Sequence, residues 1–179
     1  LLRAWRIEQS EAMRQMDMEI IQVAAEQGTL TQRLGAHAAQ LALVNAQPQP
    51  AAAPLSDTLA LSLLQAQYLE ELLARQTEAT GQPDTAVQQA LQGWQRQRET
   101  LWYQVQAVLR QLQRQDSSAT AHAIGVLQRA LDNSLQANAA LVEAVQRAAR
   151  ARSDQALAQV RRFTGFAVLL FVLLALVVV

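Results

Sequence analysis

The sequence predicts an all-α protein: an antiparallel four-helix bundle with long first and fourth helices, the fourth continuing into a transmembrane helix. Three observations predict it. The chain is rich in Ala and Gln and poor in helix breakers, with Gly 6 and Pro 4 among 179 residues, which favours long helices over sheets. Apolar residues recur at steps of three and four, as one buried stripe per helix requires. The last seventeen residues, Phe163–Val179, carry no charge, at the lower limit of about 17 apolar residues for a membrane span.

The first helix is predicted from Leu2 to Asn45. Gln47–Pro54 breaks it, because Pro cannot continue a helix and disfavours one at the preceding residue. The second is predicted from Ser56, an N-cap with Asp57 in the first turn, to Thr80. Gly81-Gln82-Pro83 is the next turn. Asp84 caps a third helix ending near Arg114, and Asp116-Ser117-Ser118 separates it from a fourth, from Ala119 through Val160 into the span. At a rise of about 1.5 Å per residue the outer two helices are about 65 Å long and the inner two about 40 Å. Short connections make neighbours antiparallel, so residue 1 belongs at the same end as residue 162. Leu1, Leu2, Arg3 and Trp5 then fit the exit of a preceding membrane helix. Residues 1–162 form the bundle and 163–179 the span, with Arg161 and Arg162 at its edge. The alternative for 163–179 is a buried core helix, which a run without a polar face argues against.

The predicted seams are specific. In the first helix they run Met13, Met16, Ile20, Val23, Gln27, Leu30, Leu34, His37, Leu41 and Val44. In the third they run Val87, Leu91, Trp94, Arg98, Leu101, Val105, Val108 and Leu112. In the fourth they run Ile124, Leu127, Leu131, Ser134, Asn138, Leu141, Val145 and Ala148. The second helix offers a broader face of Leu61, Leu64, Tyr68, Leu69 and Leu72. Ala25, Gly28, Gly35 and Ala39, with Gln32 among them, make a small-residue stripe on the first helix. It reads either as a dimer face or as bare surface of an Ala-rich helix.

Charge is balanced, 15 basic against 15 acidic residues, so nothing points to a nucleic-acid partner. Every basic side chain is Arg, which with abundant Ala is associated with GC-rich bacterial genomes. Without Cys there are no disulfides or thiolate chemistry. No nucleotide, hydrolase or zinc-protease motif occurs, so neither a catalytic residue nor a cofactor is predicted. His37 and His122 lack partners at metal-ligand spacing. The polar seam residues carry more. Arg98 stands where Leu or Val is expected, and a buried guanidinium needs an anionic partner or an anionic ligand. The bland reading is a stem packed inside with its head in water. Gln27, Ser134 and Asn138 either fix helix register or, with Arg98, hold a small anionic or polar ligand between helices.

Residues 24–34, AAEQGTLTQRL, resemble the first-helix motif of PilJ-type and NarX-type sensor domains, through Ala24, Gln27, Leu30, Thr31, Gln32 and Arg33. The resemblance covers about eleven residues. It implies an extracytoplasmic four-helix bundle between two transmembrane helices, dimeric, in a bacterial inner membrane. Such a bundle feeds a histidine kinase, chemotaxis or cyclic-di-GMP output domain. It adds Gln32 and Arg33 to Gln27 and Arg98 as candidate ligand-binding residues. The positions that approach the anion in nitrate sensors of this type align with Ala25 and Gly28, so an Arg is missing there.

Two functions follow. In one, a ligand biases the packing of a periplasmic bundle, and the fourth helix carries a displacement through the membrane. In the other, a scaffolding protein is tail-anchored with a cytoplasmic bundle. Arg147, Arg150, Arg152, Arg161 and Arg162 on the bundle side of the span favour the second by the positive-inside rule.

Overall fold

The computed structural model describes the backbone over residues 2–43, 49–81, 84–114 and 117–178, and side chains over 11–41, 52–81, 84–114, 118–158, 160–162 and 164–166. Four helices form: α1 (Leu2–Leu43), α2 (Gln49–Thr80), α3 (Thr85–Arg114) and α4 (Ser117–Val178). Among the described residues there is no strand.

The boundaries follow local chemistry at one connection in detail. Gly81 has φ 69° and its N–H bonds back to Thr77 O at 3.1 Å, a left-handed helix end that suits a residue without Cβ. Asp84 Oδ1 then accepts from the N–H groups of Ala86 at 2.9 Å and Val87 at 3.1 Å, capping α3 as predicted. The start of α2 differs from expectation. The helix begins at Gln49, so Ser56 and Asp57 lie within it, exposed, and Pro54 is internal. Near a helix start Pro forfeits a single ladder bond, to the carbonyl of residue 50, and Ala51, Ala52 and Ala53 are strong helix formers that carry the turn. Residues 47–48 of the expected break lie outside the described residues, as do Val44 and the expected helix end at Asn45.

The helices surround a core as a ring. α1 packs on α2 and α4, and α3 packs on α4 and more thinly on α2, while among the described residues the backbones of the diagonal pairs stay more than 8 Å apart. The core has two apolar clusters. One gathers Ile20, Val23 and Ala24 of α1, Leu69 and Leu73 of α2, Val87 and Trp94 of α3, and Leu141 and Val145 of α4. The other gathers Leu34 and Leu41, Leu55 and Leu59, Leu101, Val105 and Val108, and Ile124, Leu127 and Leu131. The predicted seams of α1, α3 and α4 are buried or half-buried wherever they are described.

The face of α2 is the main correction. Leu69 and Leu72 of the predicted face are buried, but Leu61, Leu64 and Tyr68 are 55%, 65% and 41% exposed. The buried line is Leu55, Leu59, Ser62, Ala66, Leu69, Leu73 and Gln76, an unbroken alternation of four- and three-residue steps. The chain thus buries small and polar residues that keep heptad register and leaves two larger leucines outside.

Described side chains of α4 from 154 to 166 are all exposed, including Leu157, Val160 and Phe166. Among the described residues no helix is long and apolar enough to cross a membrane. The expected span at Phe163–Val179 falls, apart from residues 164–166, outside the residues with described side chains.

Candidate functional site

Between the two apolar clusters lies a polar layer. Gln27 of α1 is buried and donates from Nε2 to the carbonyl of Ser62 on α2 at 2.6 Å, while its Oε1 accepts from Ser62 Oγ at 3.1 Å. Thr31 Oγ1 bonds back to Gln27 O at 2.9 Å. On the other side of α1, Asn138 of α4 donates from Nδ2 to Ala24 O at 2.8 Å. Its Oδ1 is buried without a partner, which costs about 1–3 kcal/mol.

The small-residue stripe of α1 takes its meaning here. A Cβ on Gly28 would lie 3.1 Å from Asn138 Nδ2, and one on Gly35 would lie 3.6 Å from Leu131 Cδ1. Gly28 therefore serves the close approach of α4 inside the bundle, whereas a Cβ at Gly35 would make an ordinary van der Waals contact. Ala25, Gln32 and Ala39 of the same stripe are exposed.

Arg98 is half-buried. Its Nη1 lies 3.0 Å from Glu70 Oε1 on α2, and its guanidinium sits 5.1 Å above the Trp94 ring. Gln95 Nε2 donates to the same Glu70 oxygen at 3.0 Å. The anionic partner that the seam position demanded is thus a side chain of the bundle, and a buried aromatic face adds cation–π attraction. Of the candidate binding residues, Gln27 is buried with both amide atoms bonded to Ser62, Gln32 and Arg33 are exposed on α1, and Arg98 lies on the diagonal helix. The fold does not bring these four together. His37 is half-buried and His122 exposed, and among the described residues no group of His, Cys, Asp or Glu is placed to hold a metal ion.

A second polar site, which the seams did not reveal, closes the other cluster. Asp17 of α1 is buried and accepts from Gln76 Nε2 of α2 and from Arg152 Nη2 of α4, the latter at 2.5 Å. One carboxylate thus ties three helices. Burial pushes its pKa up, and the Arg152 charge and both hydrogen bonds pull it back only in part. Arg152 Nε is itself buried without an acceptor. Beside this tie, where α2 and α3 pack thinly, a cleft of about 750 Å³ opens. Glu70, Gln76, Asp84, Gln88, Arg152 and Gln155 are among its lining residues. A sequence signal for Asp17 existed: Asp17, Ala24, Thr31 and Ala38 are all buried at seven-residue intervals, a second heptad line beside the apolar one.

On the outer surface Tyr68 donates to Glu19, and that bond raises the phenol pKa. Compared with known families, with curated proteins and with solved structures, the chain matches none.

Proposed function

We propose that this chain is the ligand-sensing module of a bacterial transmembrane signalling receptor, resembling the PilJ and NarX type, and that it works as a homodimer. In this reading the bundle stands in the periplasm of an inner-membrane protein. α4 enters the membrane at Phe163–Val179, and a kinase, chemotaxis or cyclic-di-GMP output follows. The observation that carries it is the continuity of α4, one helix of 62 residues from Ser117 to Val178. It contributes Ile124 to Ala148 to both apolar clusters and runs on into the charge-free stretch. A rigid rod of about 93 Å passes any shift of its packed end to its far end.

The bundle in this reading is antiparallel, and the order of its contacts supports that. Asp17, Glu19, Glu26 and Gln27 meet Gln76, Tyr68, Gln65 and Ser62, so α2 numbers fall as α1 numbers rise. Asp17, Ala24 and Gly35 likewise meet Arg152, Asn138 and Leu131 of α4. Both long helices then end on one side, as two membrane-entering helices must.

A tail-anchored scaffold with a cytoplasmic bundle is the second reading, favoured by Arg150, Arg161 and Arg162, which are exposed near the apolar stretch. Reporter fusions before Leu1 and after residue 165, in the full-length gene, separate the two. A periplasmic bundle is the expected result, and a cytoplasmic one overturns the sensor reading.

A further inference from the structure

We infer that the outer face of α2, formed by Leu61, Leu64, Tyr68, Glu71 and Arg75, is a seam for a second copy of this chain, the two α2 helices lying parallel and in register. The inference rests on the homodimer of the sensor reading and names its contact surface.

Among the described residues nothing in one copy covers this face. Leu61 and Leu64 are more than half exposed, and Tyr68, Glu71 and Arg75 are exposed as well. Positions 61, 64, 68, 71 and 75 alternate steps of three and four, as the a and d positions of a coiled coil do. With 3.6 residues per turn this line lies nearly opposite the buried line of Leu59, Ser62, Ala66, Leu69 and Leu73. α2 thus carries two heptad seams, one used inside the bundle and one facing out. The Tyr68 hydroxyl already donates to Glu19 of its own copy, so the ring is held in place and presents no polar group in need of a partner.

Charge selects the occupant. Arg75 Nη2 stands 3.8 Å from Glu71 Oε2, with the two side chains 63% and 65% exposed. That is longer than a charge-assisted hydrogen bond of about 2.7–2.9 Å. A guanidinium has several N–H donors and a carboxylate two acceptor oxygens, so both heads keep bonding capacity for a further partner. In a parallel pair Glu71 is a knob at d, and the hole that receives it on the facing helix includes the next a residue, Arg75. The contact is made twice, once in each direction, as a two-fold axis requires. In the layers before it Leu61 meets Leu61, Leu64 meets Leu64, and the Tyr68 rings meet each other. A second copy therefore offers apolar surface and opposite charge at the heights where this face needs them. The parallel sense follows from anchoring, because two copies entering one membrane through α4 point the same way. The seam spans about 21 Å of helix, which is small for a stable interface, so the pairing is weak in solution and is read by crosslinking at high chain concentration.

The 179 residues contain no Cys, so single cysteines report contacts between copies. The full chain in mild detergent is oxidised and disulfide dimers are followed with time. Leu61→Cys is expected to link to itself at least about tenfold faster than Ala74→Cys, which is exposed on the same helix but lines the cleft towards α3. On the L61C background, Glu71→Arg places four cations in one layer and is expected to slow linking at least about tenfold. Adding Arg75→Glu swaps the charges and is expected to restore the rate. Both positions are exposed, so thermal unfolding should stay unchanged. The inference is overturned if L61C links no faster than A74C, if Ala25→Cys on α1 links faster than L61C, or if E71R leaves the rate unchanged. It is also overturned if linking occurs only in mixtures of L61C and E71C copies, which an antiparallel pair would bring together. Failure of the seam leaves the topology experiment standing, and a cytoplasmic bundle would leave the crosslinking result standing.

Discussion

The two halves of the bundle use the same four helices and differ in what seals them. Around Leu127, packing is almost wholly apolar: Leu34, Leu55, Val105, Val108 and Leu127 are fully buried, and Thr58 is the polar residue buried beside them. Around Leu141, the core ends in a carboxylate, an amide and a guanidinium, with a cleft alongside. The difference teaches where this molecule can change shape at low cost. Dry interdigitated side chains have one good arrangement. Asp17, Gln76 and Arg152 can each exchange a partner for water or a ligand, so rearrangement belongs to their half.

The largest expected effect tests the dry half. Leu127→Ala should lower stability by about 2–5 kcal/mol, because a fully buried leucine leaves a cavity that its neighbours fill only in part. Chemical denaturation monitored by circular dichroism measures it, and a loss below about 1 kcal/mol would show that this half repacks freely.

In the polar half, Arg152→Gln should cost about 1–3 kcal/mol by leaving Asp17 short of a partner. D17N/R152Q should cost less than that single change, since a neutral pair leaves no stranded charge. A double-variant cost equal to the sum of the D17N and R152Q costs would mean that Asp17 and Arg152 are not energetically coupled.

A smaller effect separates the glycines. Gly93 has open space around its Cβ position, whereas Gly28 faces Asn138. Gly93→Ala should raise stability by about 0.5–1 kcal/mol through helix propensity. Gly28→Ala should give none of that gain, because Asn138 must yield its bond to Ala24. Thermal melts of the two variants decide it.

The smallest effect is in pH. The pKa of Asp17 is raised on folding, so the folded chain binds its proton more readily than the unfolded chain. Stability from this group is therefore present at low pH and lost as pH rises through the folded value. D17N should remove that slope, seen as the difference between wild-type and variant unfolding free energies across the acidic range.

By itself the sequence determined the helices and most of the core. Breakers at Gly81 and the cap at Asp84 set their ends, and the three-four spacing of α1, α3 and α4 set their buried sides, because both signals are local. The start of α2 escaped, since Pro54 reads as a breaker unless its nearness to a helix end is known. Only the tertiary structure decided which stripe of α2 goes inside. Leu61 and Leu64 are more apolar than Ser62 and Ala66, but neighbours on α1 and α3 accept residues in heptad register and not those of greatest hydrophobicity. It likewise decided that Arg98 finds its carboxylate on α2 and that Gly28 serves α4. It also decided that Asp17 and Arg152, 135 residues apart, form an ion pair between α1 and α4. Pairings across helices depend on which helices are neighbours and at what height, and no spacing within one helix encodes that.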